Sequence, residues 1–261
     1  MYISAQLPLS LNPERSFDYD SVRAFGHALL STYRNSNPFP HLVVDDCLPE
    51  TVIRKVCARF PSKDELEQCF EQGYLGYRTR CASPYMCDSY ISSFFNSLNS
   101  ASMLQFLESL TGIKGLIPDP YFSNGGLIET RSGGFVEVHS DIGVHEILNL
   151  QPRVSMIIYL NEDWRDEYGG DLEMWGAGLS RCIKRISPSY NRCVIFNSEK
   201  NSYHGHPQAL QTPLDVSRRS ILVSYYTSEV GANDYARTPW GFRSMNRLNI
   251  MSYFRRFTGG T

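Results

Sequence analysis

Val22, Phe25, Leu29 and Leu30 recur at helical spacing, so a helix is expected from a cap at Asp20 or Ser21 to about Tyr33, where Asn35, Ser36, Asn37 and Pro38 break it. A short apolar strand, His41 to Val44, follows. Leu48, Val52, Val56 and Phe60 then fall every four residues and put one apolar stripe on a second helix, which Pro61 stops. Phe94, Leu98, Met103, Phe106 and Leu110 predict a third helical stretch over about Ser89 to Leu110, and the preceding Gly73 to Pro84 reads as a loop.

After Thr111-Gly112 the helical period gives way to short apolar runs divided by Gly, Asn, Asp and Pro. These predict strands at Leu127 to Thr130, Phe135 to His139, Val154 to Leu160, Asp171 to Trp175, Cys182 to Ile186, Arg192 to Phe196, Ser202 to His206 and Ser220 to Tyr226. Strands of this number after a helical preface indicate an α+β, mainly β chain: a double-stranded β-helix (jelly roll, cupin-like) with N-terminal helices packed outside it. The chain reads as one domain over 1–261, with a helical support region at 1–115, the barrel core at 116–230 and a C-terminal extension at 231–261. In that extension, Trp240 to Thr261 sets arginines among aromatics, a solvated basic face or a helix lying on the barrel.

Composition narrows the function classes. With 42% hydrophobic and 20% charged residues over 261 positions, the chain can bury a large core and is neither disordered nor fibrous. Lys+Arg 25 against Asp+Glu 27 leaves a net charge of −2, which supplies no overall field for gripping nucleic acid. The N-terminus lacks a basic segment followed by an apolar run, and no stretch reaches the roughly 18 uncharged apolar residues of a membrane span, so no membrane partner and a cytoplasmic location are expected. Seven cysteines, an odd number without a CxxC pair, fit reduced thiols better than a disulfide framework.

The candidate chemistry lies in the β region. His139 and Asp141 form an H-x-D pair at the end of GFVEVHSD, and residues two apart in extended backbone project to one face, so both can reach one ion. A third donor could come from His204 or His206 in SYHGHP. Two imidazoles and one carboxylate on one side of an ion, with the opposite positions open, is the arrangement of non-haem Fe(II) oxygenases. Arg218 opens the strand RRSILVSYY with Ser220 two positions on, and a buried guanidinium beside a hydroxyl is a receptor for a carboxylate through two parallel charge-assisted hydrogen bonds.

These residues resemble the 2-oxoglutarate/Fe(II)-dependent oxygenases of the prolyl 4-hydroxylase-like superfamily. The resemblance begins at PFPHLVVDDCLPE and runs in order through FLESLTGIKGLIPDPYF, GGFVEVHSD, RVSMIIYLNEDW, YGGDLEMW, NRCVIFNS, YHGHP and SRRSILVSYYT. It implies Fe(II) held by His139, Asp141 and His204, with His206 the runner-up for the third position. It implies 2-oxoglutarate held through its distal carboxylate by Arg218, with Ser220 and the phenol of Tyr159 assisting. The activity implied is hydroxylation of an unactivated C–H of a small-molecule or peptide substrate by dioxygen, with release of succinate and CO2 and with ascorbate as an accessory reductant. Related radical halogenases carry a small residue where Asp141 stands, so the carboxylate argues for hydroxylation. No feature of the sequence reports an oligomeric state.

Some positions depart from the family pattern or add to it. Where certain relatives place a further cofactor-binding tyrosine, this chain has Ile128, Glu129 or Thr130. His145 reads as a surface histidine, and Glu129, Arg131, Arg78 and Arg80 read as solvated loop charges or as the lining of a substrate mouth. The competing classes are a metal-binding cupin with isomerase or hydrolase chemistry and a jelly-roll binding module. Neither has a use for the buried carboxylate receptor expected at Arg218.

Overall fold

A computed structural model describes residues 2–9, 18–62, 76–123, 125–141, 143–145 and 147–228. The arginine-rich C-terminal segment lies outside the described residues. Four helices precede the barrel among those described: α1 (Tyr19–Arg34), α2 (Glu50–Ala58), α3 (Ser89–Leu98) and α4 (Ala101–Thr111). The cap of α1 is Asp18, earlier than expected, whose side chain accepts from the Asp20 N–H. The long helix expected over 89–110 is two, because Ser100 is extended and its hydroxyl accepts from the Met103 N–H, restarting the helix. Gly112, at φ 77, ends α4 in the left-handed conformation that costs glycine least.

The strands are β1 (Tyr2–Ser4), β2 (His41–Asp45), β3 (Gly76–Ala82), β4 (Ile117–Pro118), β5 (Gly126–His139), β6 (Gln151–Tyr159), β7 (Leu172–Trp175), β8 (Cys182–Ile186), β9 (Cys193–Asn197), β10 (His204–His206) and β11 (Arg218–Thr227). The strands expected at Leu127 to Thr130 and Phe135 to His139 are one, β5, the other expected strands are present, and residues 76–82 of the expected loop form β3, paired antiparallel with β5 from Gly76↔Val136 to Ala82↔Leu127. Only Thr79 and Ala82 of GYRTRCA are buried, too little apolar character to announce that strand. The path through the sheet is β1-β2-β9-β6-β11-β5-β10-β7-β8, a mixed sheet curled into the double-stranded β-helix.

β5 makes the curl. Its first half pairs with β11 and its last residues with β10, so one strand serves both sides of the barrel. At the bend Gly133 has φ 76, and a Cβ on Gly134 would lie 2.6 Å from Thr130 Cγ2 and 2.7 Å from the Arg131 carbonyl, so a side chain cannot be accommodated there without displacement.

Period-two alternation divides the core into two. On β9, Cys193 and Ile195 face the helices, where they join Leu42, Val44, Met156, Ile158, Ile221 and the apolar stripes of α1–α4. Val194 and Phe196 point the other way into the barrel, with Phe39, Val43, Tyr159, Leu172, Met174 and Ile186. Phe25 of α1 stacks on Phe106 of α4 at 5.4 Å between ring centres, and Tyr33 of α1 donates to Asn197 Oδ1 at 2.6 Å. The helical layer thus holds the end of β9 next to the site described below. Among the described residues no helix is long and apolar enough to cross a membrane, and six cysteines are free thiols.

Candidate metal and cofactor site

The site grows from the β5–β10 ladder. His204 is the Cα partner of His139, so their side chains stand side by side on the barrel's inner face, ring centres 4.5 Å apart. Each imidazole is oriented by its own strand: Nδ1 of His139 meets the Glu137 carbonyl at 2.8 Å and Nδ1 of His204 meets the Ser202 carbonyl at 2.9 Å. With Nδ1 donating, the lone pair of each ring sits on Nε2. Both Nε2 atoms turn to Asp141, His139 at 3.6 Å from Oδ1 and His204 at 3.9 Å from Oδ2. One donor atom from each of the three lies within 4.8 Å of the others, and His139, Asp141 and His204 are the one such group found among the described residues.

Electrostatics keeps Asp141 and His204 in ligand form. Burial alone would raise the Asp141 carboxyl, but the imidazoles of His204 and His139 and the hydroxyl of Ser155 outweigh it and hold the group below the usual carboxylate range. Burial pushes His204 down to about 4, so its ring is neutral at pH 7. Ser155 and Ser198 donate to Asp141 Oδ2 at 3.1 and 3.2 Å and lie 2.7 Å from each other, fixing the carboxylate from behind. Neither serine is apparent as a site residue in the sequence, where the only signal is a small hydroxyl interrupting the apolar runs RVSMIIYL and CVIFNS. The donor set of two outward lone pairs and one ionised carboxylate fits a ferrous ion.

Deeper in the barrel, Arg218 opens β11 and is 5% exposed. Its Nε donates to the Gly170 carbonyl at 2.8 Å and its Nη2 to the Tyr159 hydroxyl at 3.3 Å, with the guanidinium 4.9 Å from the Tyr159 ring centre. Among the described residues no carboxylate lies within ion-pair distance of it. Burial lowers its pKa, and only Tyr159 and Asp171 act against that. A buried cation without an acid partner is costly unless an anion completes it, and a carboxylate fits the fork. Ser220, two residues on and 3% exposed, is the Cα partner of Tyr159, which brings the sequence-derived trio Arg218, Ser220 and Tyr159 together. Arg219 takes the opposite face, 42% exposed at its side chain and 3.6 Å from Glu129.

Two expectations are overturned. His145 is 2% exposed rather than a surface residue. Its Nε2 lies 3.0 Å from Asp119 Oδ2, and its Nδ1 accepts from the N–H groups of Ile147 and Leu148 at 3.2 and 3.1 Å, so it ties down the turn that follows Asp141. Glu129 is 5% exposed rather than a solvated loop charge, gripped by Arg131 Nε at 3.0 Å and the Ser217 hydroxyl at 2.8 Å. It belongs to a strand-to-strand clasp outside the barrel. Thr130, one of the three residues in the place of the missing tyrosine, shares a 2.9 Å hydroxyl contact with Thr79 of β3.

Fold and site together are a double-stranded β-helix that carries a two-histidine, one-carboxylate cluster able to hold a metal ion. Residues 125–227 match the family described as the 2OG-Fe(II) oxygenase superfamily. Solved structures agree in fold. A Trichoplax adhaerens prolyl hydroxylase in complex with a hypoxia-inducible-factor peptide superposes with a TM-score of 0.56 at 14% identity, over 82% of this chain and 94% of that one. A Pseudomonas putida prolyl-4-hydroxylase gives 0.53 at 17% identity, over 78% and 100%. HygX from Streptomyces hygroscopicus, with nickel, 2-oxoglutarate and hygromycin B bound, gives 0.52 at 12% identity, over 77% and 87%.

Proposed function

We propose that the protein hydroxylates an unactivated C–H bond of a small-molecule or peptide substrate, with 2-oxoglutarate and dioxygen converted to succinate and CO2. One observation carries this reading: a two-histidine, one-carboxylate cluster and a guanidinium with no acid partner share one barrel interior. His139, Asp141 and His204 are the metal ligands, and Arg218 with Tyr159 and Ser220 receives the far carboxylate of 2-oxoglutarate. A metal-binding cupin or a binding module would leave Arg218 a buried cation with no purpose.

With a ferrous ion and 2-oxoglutarate bound, dioxygen would be the oxidant, two of its four electrons coming from 2-oxoglutarate and two from the substrate C–H, with one oxygen atom ending in succinate and the other in the product hydroxyl. The chain's own residues do the rest. His139 and His204 offer their Nε2 atoms, and Asp141, pinned by Ser155 and Ser198, adds the single negative charge. Arg218 orients the keto acid by its distal end, a fixed anchor that sets where its reactive end lies. Leu172, Met174 and Phe196 line the interior with apolar surface and exclude water from the reacting centre.

Asp141 also bears on the outcome, since a carboxylate at that position takes the place a halide would need. The neighbouring structures bear on the substrate: one holds a peptide and another hygromycin B, which supports keeping both substrate classes in view. The test is product mass spectrometry under 18O2 in excess chloride, with succinate followed in parallel. Hydroxylation gives a product about 18 mass units heavier that carries one 18O, matched by succinate. A chlorinated product, or substrate oxidation without succinate, overturns the reading.

A further inference from the structure

His206 differs from the other buried histidines. It is 4% exposed, and neither ring nitrogen has a hydrogen-bond partner among the described residues. His139, His204 and His41 each have Nδ1 fixed by a backbone carbonyl at 2.8, 2.9 and 2.9 Å, and His145 accepts from two N–H groups. A buried imidazole with two idle nitrogens is rare in folded proteins and marks a partner still to arrive.

Its surroundings identify that partner. His206 stands two residues from His204 on β10, so strand alternation puts the two side chains on one face, with a register shift against β5 between them. Gly170, whose carbonyl accepts from Arg218 Nε, lines one cavity with His206, and burial, Arg218 and His139 all disfavour a charged ring there. It does not join the cluster of His139, Asp141 and His204. No carbonyl fixes its tautomer as metal-ligating histidines require. The Arg218 guanidinium commits Nε to Gly170 and one Nη2 hydrogen to Tyr159, and its other donors have no partner among the described residues. Two buried groups with N–H donors to spare, linked through Gly170, call for a shared acceptor.

We propose that His206 is a further 2-oxoglutarate contact, donating a ring N–H to the distal carboxylate held by Arg218. This rests on the reading of the site given above. His206 is then a cofactor-binding residue and not the third metal ligand, and it contributes to selection of a keto diacid over a keto monoacid.

The experiment is calorimetric binding to Mn(II)-loaded protein without oxygen, using 2-oxoglutarate and 2-oxopentanoate, the second of which keeps the keto acid end and the chain length but carries a methyl in place of the distal carboxylate. His206→Ala should weaken 2-oxoglutarate about tenfold, the order expected for a hydrogen bond to a charged group. The same variant should leave 2-oxopentanoate and Mn(II) affinities within about twofold. His206→Gln, which restores an N–H donor of similar reach, should recover part of the loss and serves where the alanine variant folds poorly. Unchanged 2-oxoglutarate affinity in both variants, equal losses for the two keto acids, or a large loss of Mn(II) affinity overturns the assignment. Failure of the unsubstituted protein to bind either keto acid instead removes the reading on which it rests.

Discussion

His139 and His204 are direct Cα partners across the β5–β10 ladder, and each has its Nδ1 held by the carbonyl two residues before it. The same local device, repeated on two strands, aims both Nε2 atoms at Asp141. Backbone therefore sets the direction of two of the three donors, leaving only the carboxylate to be positioned by side chains.

That division predicts a graded response of metal binding. Removing a donor with His204→Ala should cost more than removing a support, so Fe(II) or Mn(II) affinity should fall by well over 100-fold. Ser155→Ala and Ser198→Ala, each deleting one hydrogen bond to Asp141 Oδ2, should lower it by about 10- to 100-fold. Metal titration by calorimetry measures both, and serine variants indistinguishable from the unsubstituted protein would show that Asp141 needs no support.

Arg218 and Arg219 are adjacent in sequence and opposite in role. Arg218→Lys keeps the charge but loses the fork and its bonds to Gly170 and Tyr159, so 2-oxoglutarate affinity should fall by about 1–3 kcal/mol. Arg219→Lys, on the outer face, should stay within about 0.5 kcal/mol. Equal affinities for the two variants would remove Arg218 from the carboxylate receptor.

Stability of the metal-free protein should fall with acid. Burial holds both His41 and His204 down to about 4 in the folded chain, whereas an unfolded histidine titrates near 6.5. Between those values the unfolded state binds more protons, so unfolding free energy rises with pH, by up to about 1.4 kcal/mol per pH unit for each histidine. Asp141, whose folded pKa is depressed, adds a loss of the same sign below about pH 4. Urea midpoints at pH 7, 6 and 5 should decline in that order, with the change concentrated below about pH 6.5.

His145→Ala should be costly for a residue so far from view in the sequence. It strands the N–H groups of Ile147 and Leu148 and withdraws the contact of Asp119 Oδ2, for a loss of about 2–4 kcal/mol. Denaturation gives the magnitude, and hydrogen exchange should show the turn at 147–150 losing protection first.

How much of this was legible in the sequence depended on whether neighbours in the chain or across the sheet decide the outcome. Strand alternation gave the barrel, since Val194 and Phe196 point inward while Cys193 and Ile195 point outward. The H-x-D pair, YHGHP and SRRS were readable because their spacing within a strand fixes a shared face. β3 was not, since GYRTRCA owes its extended form to pairing with β5, some 50 residues on. Ser155 and Ser198 were missed for the same reason: only β6–β9 pairing brings them together behind Asp141. His145 and Glu129 were misjudged because a polar residue's burial is decided by a distant partner, Asp119 for one and Ser217 with Arg131 for the other.

The bend at Gly133-Gly134 leaves β5 a single covalent run from Thr130, the Cα partner of Arg218, to His139, the Cα partner of His204. In the proposed reading, the far end of the keto acid and its reactive end would thus be measured against one piece of backbone. Such a strand acts as a gauge. A keto diacid one methylene longer or shorter than 2-oxoglutarate meets the wrong length, and rotating side chains have no second scaffold to slide against in compensation.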